Sequence, residues 1–98
     1  MTREVKLLVN DQPVEIDYFV QGLIDHTTGG VLAGLEGVRR IESVTVSIEG
    51  DEITINLNNA LLQINPFVSK IIKNTIVGMV SSLKGVSNVD RVKISIKR

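Results

Sequence analysis

The chain has 98 residues, of which 43% are apolar and 22% are charged, and it contains no cysteine. This length predicts one domain with its own core, and the absence of cysteine excludes disulfides, thiolate nucleophiles and zinc fingers. Eleven basic and eleven acidic residues cancel, so no strong overall electrostatic field favours the binding of nucleic acid. No apolar run approaches the ~20 residues that span a bilayer.

An internal duplication organises the chain. Sliding the sequence by 48 residues aligns residues 1–50 with residues 49–98 and gives fourteen identities, against about three expected by chance from typical residue frequencies. The sequence therefore predicts a single domain, residues 1–98, built from two tandem repeats, 1–48 and 49–98.

Each repeat begins with a strand-like pattern, because apolar residues alternate over Val5–Val9 and Ile53–Leu57. The first strand starts almost at Met1, which predicts no signal peptide and a cytoplasmic location. Asx residues that tolerate left-handed backbone follow each strand and predict a turn. A short extended arm comes next, and the pattern does not decide whether the two arms pair as strands: Val14–Ile16 and Leu62–Ile64.

A helix follows each arm. Asp17 and Asn65 are good N-cap residues, and Pro66 suits the first helical position. Both helices are predicted to run to the residue before a glycine, Gly37 or Gly85, which would form a left-handed C-terminal cap. Apolar spacing predicts a core-facing stripe on each helix: Val20, Leu23, Ile24, Thr27, Val31, Leu32 and Leu35, then Val68, Ile71, Ile72, Thr75, Ile76, Met79, Val80 and Leu83.

A second strand closes each repeat, over Ile41–Ile48 and Val89–Ile96, and Glu49-Gly50-Asp51 joins the repeats as a hairpin. The order β-α-β-β-α-β predicts an α+β, ferredoxin-like fold, with one antiparallel sheet and both helices on one face. The alternative makes each arm a full strand, which gives two ββαβ units and a larger sheet.

Small residues on the helices are the main candidate site. Gly29, Gly30 and Gly34 each cost up to ~1 kcal/mol in a helix interior, so something should offset them. One side of each helix carries small residues: Gly30, Ala33 and Gly34, and their equivalents Gly78, Ser81 and Ser82. We predict close packing of the helices inside the fold; the alternatives are a homodimer interface, or a small ligand against Gly29, Gly30 and Gly34.

Charge differs between the repeats. Residues 1–48 carry four basic and seven acidic side chains, net −3, and residues 49–98 carry seven and four, net +3. The sign inverts at Asp25/Lys73, Glu36/Lys84 and Glu49/Lys97. Two interpretations stay open: the charges are unrelated solvated side chains, or opposite charges help the halves to pair within or between chains.

No residue pattern indicates catalysis. His26 is the only histidine, the run Thr27-Thr28-Gly29-Gly30 lacks the lysine of a phosphate-binding loop, and Glu49, Asp51 and Glu52 form an acidic turn that would bind a cation weakly at best. We therefore predict no catalytic, metal or cofactor site. The outward sheet face is predicted to hold no aromatic residue, so nucleic-acid binding by base stacking is not expected.

The stretch from Val44 to Lys97 resembles the alkaline shock protein family, small bacterial proteins linked to the cell envelope and stress. The likeness lies in the acidic-glycine hairpin within Val44–Leu57, the helix opened by Ile64-Asn-Pro-Phe-Val68, the Leu83-Lys-Gly-Val86 stop and the alternating strand Val89–Ile96. Residues 14–38 resemble that family's first helix. The same element order also occurs in amino-acid-binding regulatory domains. The resemblance implies no catalytic residue.

These observations predict a non-enzymatic protein-interaction or assembly domain that forms a homodimer. The alternative is a small-ligand-binding regulatory domain of the ferredoxin-like type, with its ligand against the helix glycines.

Overall fold

The computed structural model describes residues 4–35 and 40–98. Its elements follow one order twice, strand, short strand, helix, strand. They are β1 (Glu4–Val9), β2 (Gln12–Pro13), α1 (Tyr18–Ala33), β3 (Ser43–Glu49), β4 (Glu52–Leu57), β5 (Ala60–Leu61), α2 (Pro66–Ser81) and β6 (Arg91–Lys97).

The six strands form one antiparallel sheet in the order β2-β1-β6-β3-β4-β5. The α+β class and the single antiparallel sheet are confirmed, but the strand order is not that of a ferredoxin-like sheet, in which the first strand of each repeat lies at the centre. Here β2 and β5 occupy the outer edges of β1 and β4, so β1 and β4 cannot pair with each other and the closing strands β3 and β6 meet instead. The element order is that of the alternative prediction, two ββαβ units.

The predicted arms Val14–Ile16 and Leu62–Ile64 are not strands; the two-residue segments just before them, β2 and β5, pair with β1 and β4 instead. These segments pair because Asn10-Asp11 and Asn58-Asn59 form two-residue turns in which both residues have positive φ, 51° and 66° in each case. The pairing begins earlier than the predicted arms, at Gln12 and Ala60, and Val14 N–H extends it by donating to the Leu7 carbonyl at 2.9 Å.

The helix starts are confirmed in detail. The Asp17 side chain accepts from Val20 N–H and the Asn65 side chain from Val68 N–H, each at 2.8 Å. The helix ends differ from the prediction. α2 stops at Ser81, three residues before the predicted end at Lys84. Gly85 does have a positive φ of 83°, but it lies in a separate turn closed by Val86 N–H and the Leu83 carbonyl. α1 likewise ends early, at Ala33, three residues before the predicted end at Glu36. Glu36 and the predicted cap Gly37 lie outside the described residues.

One face of the sheet carries the core. Its side chains are buried with residues of both helices, so α1 and α2 cover the same face. The buried apolar residues are Val5, Leu7, Val9, Ile24, Leu32, Val44, Val46, Ile48, Ile55, Ile72, Ile76, Val80, Val92, Ile94 and Ile96. The alternate strand positions form the opposite, uncovered face, as predicted: Lys6, Leu8, Thr45, Ser47, Thr54, Asn56, Lys93 and Ser95.

Candidate functional site

Each helix presents an exposed stripe that points away from the sheet, and we call the two stripes together the outer helix face. Its first half is apolar and large. Phe19 is 74% exposed and Leu23 42% on α1, and their repeat equivalents on α2 have nearly the same values, 73% for Phe67 and 45% for Ile71. The rest of the stripe is small or polar: His26, Gly30 and Ala33 of α1 with its C-cap Gly34, and Asn74, Gly78 and Ser81 of α2 with its C-cap Ser82.

Helix geometry explains why these residues share one side. Successive residues are about 100° apart around a helix axis. The same side of α1 therefore carries Phe19, Leu23, His26, Gly30 and Gly34. The buried residues Ile24, Thr28 and Leu32 lie on the opposite side of α1, and Ile72, Ile76 and Val80 do so on α2. The outer helix face is therefore set by the same periodicity that sets the core.

Part of this face was predicted to be core, and that prediction was wrong. Leu23 and Ile71 belong to the predicted buried stripes, but both are exposed. Each comes one residue before a buried isoleucine, Ile24 or Ile72, and hydropathy alone does not distinguish two adjacent apolar positions. At about 100° per residue, each lies about 140° around its helix from the centre of the buried side, at Thr28 or Ile76, and this angle is the signal that the sequence offered.

The glycines of the outer helix face contact no other element in the described part of the chain. A Cβ added at Gly30 or Gly78 meets no atom within 4 Å, and one at Gly34 meets only carbonyls of its own helix. Ala33, Ser81 and Ser82 are exposed as well. The predicted close packing of the helices inside the fold is therefore wrong, and the homodimer interface remains as a prediction.

Gly29 has a different environment from Gly30. It is buried, and a Cβ there would collide with the Arg98 guanidinium. That guanidinium pairs with Asp25, with Nε donating to Oδ1 at 2.9 Å and Nη2 lying 2.8 Å from the same oxygen. Because Gly29 faces inward against Arg98 while Gly30 and Gly34 face outward, the three glycines do not line one ligand pocket.

The pair between Asp25 and Arg98 joins the two repeats within one chain. Asp25 is 3% exposed, and the Arg98 backbone N–H also donates to the Glu42 carbonyl at 2.9 Å. The inverted position in the second repeat, Lys73, forms a different pair, in which Nζ donates to Asp51 at 2.8 Å. Asp25 and Lys73, the oppositely charged side chains at these equivalent helix positions, thus each form an ion pair within the chain.

Thr28 carries a buried hydroxyl with no hydrogen-bond partner in the described part of the chain. Its equivalent in the second repeat is Ile76, which is 1% exposed and fully apolar. The sequence showed this difference only as an isolated Thr/Ile mismatch between the repeats. An unsatisfied buried hydroxyl costs stability, so Thr28 is a weak point on the inner side of α1.

The remaining polar candidates form no site. His26 is exposed, and Asp51, in the acidic turn, is held by Lys73. The hydrogen bond from Lys73 and its positive charge lower the pKa of Asp51 below the ordinary aspartate value. Among the described residues, no group of three or more acidic or histidine side chains could hold a metal ion.

Neither helix in the described part of the chain has the length and apolar character needed to cross a membrane. No family model, curated protein or solved structure matches the chain. The predicted likeness to alkaline shock proteins therefore stays a prediction.

Proposed function

We propose that this protein is a non-enzymatic assembly domain that forms a homodimer through its outer helix face. The carrying observation is the exposure of Phe19, Leu23, Phe67 and Ile71, two large apolar side chains at the same two positions of each repeat. Exposed apolar residues scattered singly need no explanation, whereas several large apolar side chains exposed on the same face of a molecule are typical of an interaction surface.

The size of this face supports association. Since an aromatic side chain has a surface of 150–250 Å², the four side chains together expose roughly 400–500 Å² of apolar area. The described residues form a slab of 36 × 34 × 18 Å, so its broad helical side exceeds the ~800 Å² that each partner contributes to a stable interface. Burying the apolar half of each stripe would supply the apolar contacts of the interface, and the small and polar residues of the other half would complete it.

Sedimentation equilibrium across micromolar concentrations tests this proposal. We expect the unmodified chain to be dimeric and the double variant Leu23→Glu/Ile71→Glu to be monomeric, because two carboxylates per copy would be buried unpaired in the interface. Both positions are exposed, so the variant retains its core.

The control carries the same charge change on the uncovered sheet face. Thr54→Glu/Asn56→Glu alters two exposed residues of β4, and this variant should remain dimeric. A monomeric unmodified chain at every concentration would contradict the proposal. Dissociation of the sheet variant with retention of the helix variant would contradict the choice of face.

A further inference from the structure

We infer that two copies dock face to face with α1 of one copy antiparallel on α2 of the other. The inference rests on the proposed homodimer and specifies which helix contacts which. It follows from the size of side chains along the stripes, from the symmetry within the chain and from the distribution of charge.

Side-chain size changes along each stripe in a way that suits an antiparallel partner. The N-terminal half of α1 projects Phe19 and Leu23, and the C-terminal half of α2 offers Gly78 and Ser82. The spacing from Phe19 to Leu23 equals that from Gly78 to Ser82. In an antiparallel pair, Phe19 therefore lies on Ser82 of the second copy and Leu23 on Gly78, so that each large side chain meets a small one.

The internal symmetry allows this contact to form twice. The two repeats are related by an approximate twofold axis normal to the sheet, since their strand registers repeat with the 48-residue shift. A dimer twofold parallel to the helices then places α1 on the second copy's α2 and α2 on its α1 at once. Phe67 and Ile71 consequently meet Gly34 and Gly30 of the second copy. A closed, isologous dimer results.

Charge distinguishes this arrangement from α1 on α1. In the proposed docking, the exposed carboxylate of Asp17 comes to the same end as the exposed ammonium of Lys84 of the second copy. Docking α1 on α1 would instead take Asp17 away from Lys84 of the second copy. It would also stack halves that each carry a net charge of −3.

Disulfide formation between mixed single-cysteine variants tests the register, and the chain has no cysteine of its own to interfere. We expect Leu23→Cys mixed with Gly78→Cys to form a disulfide-linked heterodimer. Because docked helices lie about 8–10 Å apart, facing residues come within disulfide reach. An effective millimolar concentration should make this linkage roughly 100-fold faster than a collisional linkage at micromolar protein.

Two further mixtures separate the possible failures. Leu23→Cys with Gly30→Cys links selectively if α1 docks on α1, a result that overturns the inference and leaves the proposed homodimer intact. Ser95→Cys, on the uncovered face of β6, links to itself if the sheets dock, which overturns both. Sedimentation of the same samples as monomers, without selective linkage in any mixture, overturns the proposed function itself.

Discussion

Val46 lies directly opposite Ile94 at the centre of the sheet, where β3 pairs with β6. These residues are equivalents of each other, 48 positions apart, so the approximate twofold axis of the molecule passes between them. Both are fully buried, with 0% of each residue exposed. The pairing of the closing strands at this point is what distinguishes the sheet from a ferredoxin-like one.

An asparagine at each outer turn fixes the segment that leads into the central pair. Asn58 Oδ1 accepts from the backbone N–H groups of Glu42 and Ser43 at 2.8 and 3.0 Å, and its Nδ2 donates to the Arg40 carbonyl at 2.7 Å. Asn10 makes the equivalent three bonds to Asn88, Asp90 and Arg91. The two side chains thus connect the turn after the opening strand to the start of the closing strand.

Asn58→Gly should lower the free energy of unfolding by about 1–2 kcal/mol, because it keeps the positive φ but removes three hydrogen bonds to backbone. Urea unfolding measures the loss, and Asn10→Gly should give a similar value. Asn59→Gly is the control, since it has a φ of 66° in the same turn and should be nearly neutral. Equal effects for Asn58→Gly and Asn59→Gly would show that backbone conformation alone explains the asparagine.

Thr28→Val should raise the free energy of unfolding by about 1 kcal/mol, because it replaces an unsatisfied buried hydroxyl with a methyl group of similar size. Thr75→Val is the matched control on α2. The Thr75 hydroxyl donates to the Ile71 carbonyl at 2.8 Å, so its removal should bring no comparable gain. Thermal or urea unfolding of both variants decides the point, and a destabilised Thr28→Val would refute it.

Asp25 and Arg98 should be energetically coupled. A double-mutant cycle with Asp25→Asn and Arg98→Gln isolates the pair from other contacts of either side chain. We expect a coupling of about 1–3 kcal/mol, above the range of exposed ion pairs, because the carboxylate is buried. Additive losses in the two single variants would mean that the pair contributes nothing as a pair.

Gly30→Ala should stabilise the isolated chain by up to ~1 kcal/mol, because alanine favours a helix and the added methyl meets no neighbour. The gain should shrink as protein concentration rises, because the methyl then intrudes on the homodimer. Urea midpoints at two concentrations measure both effects. Gly29→Ala should be less stable than Gly30→Ala at either concentration, because its methyl would displace the Arg98 guanidinium. A larger gain for Gly29→Ala than for Gly30→Ala would contradict the assignment of Gly29 as inward-facing and Gly30 as outward-facing.

The sequence predicted those parts of the fold that depend on local chemistry. The caps at Asp17 and Asn65, the turns at Asn10 and Asn58, and the alternating burial of the strands follow from properties of single residues or short patterns. The repeat predicted that both halves share one element order, because equivalent residues repeat equivalent local structure. The leading order, β-α-β-β-α-β, missed the short strands β2 and β5, which only the alternative of two ββαβ units contained.

The parts that failed depend on long-range pairing. The strand order depends on whether a segment as short as Gln12–Pro13 pairs along the outer edge of β1. A two-residue strand leaves almost no hydropathy pattern in the sequence. Whether Leu23 is exposed depends on how α1 is rotated about its own axis over the sheet. The buried residues Ile24, Thr28 and Leu32 together set that rotation. Asp25 and Arg98 lie 73 residues apart in the sequence. The inverted charges of the two repeats therefore suggested that the halves pair, but they did not identify Arg98 as the partner of Asp25.

The most direct test of the homodimer is to follow backbone amide chemical shifts by NMR as the protein is diluted from millimolar to micromolar concentration. We expect shift changes on the outer helix face, around Leu23, Gly30, Ile71 and Gly78, with the uncovered sheet residues Thr45 and Ser95 unchanged. Changes centred on Thr45 and Ser95, or spectra that do not depend on concentration, would contradict this expectation.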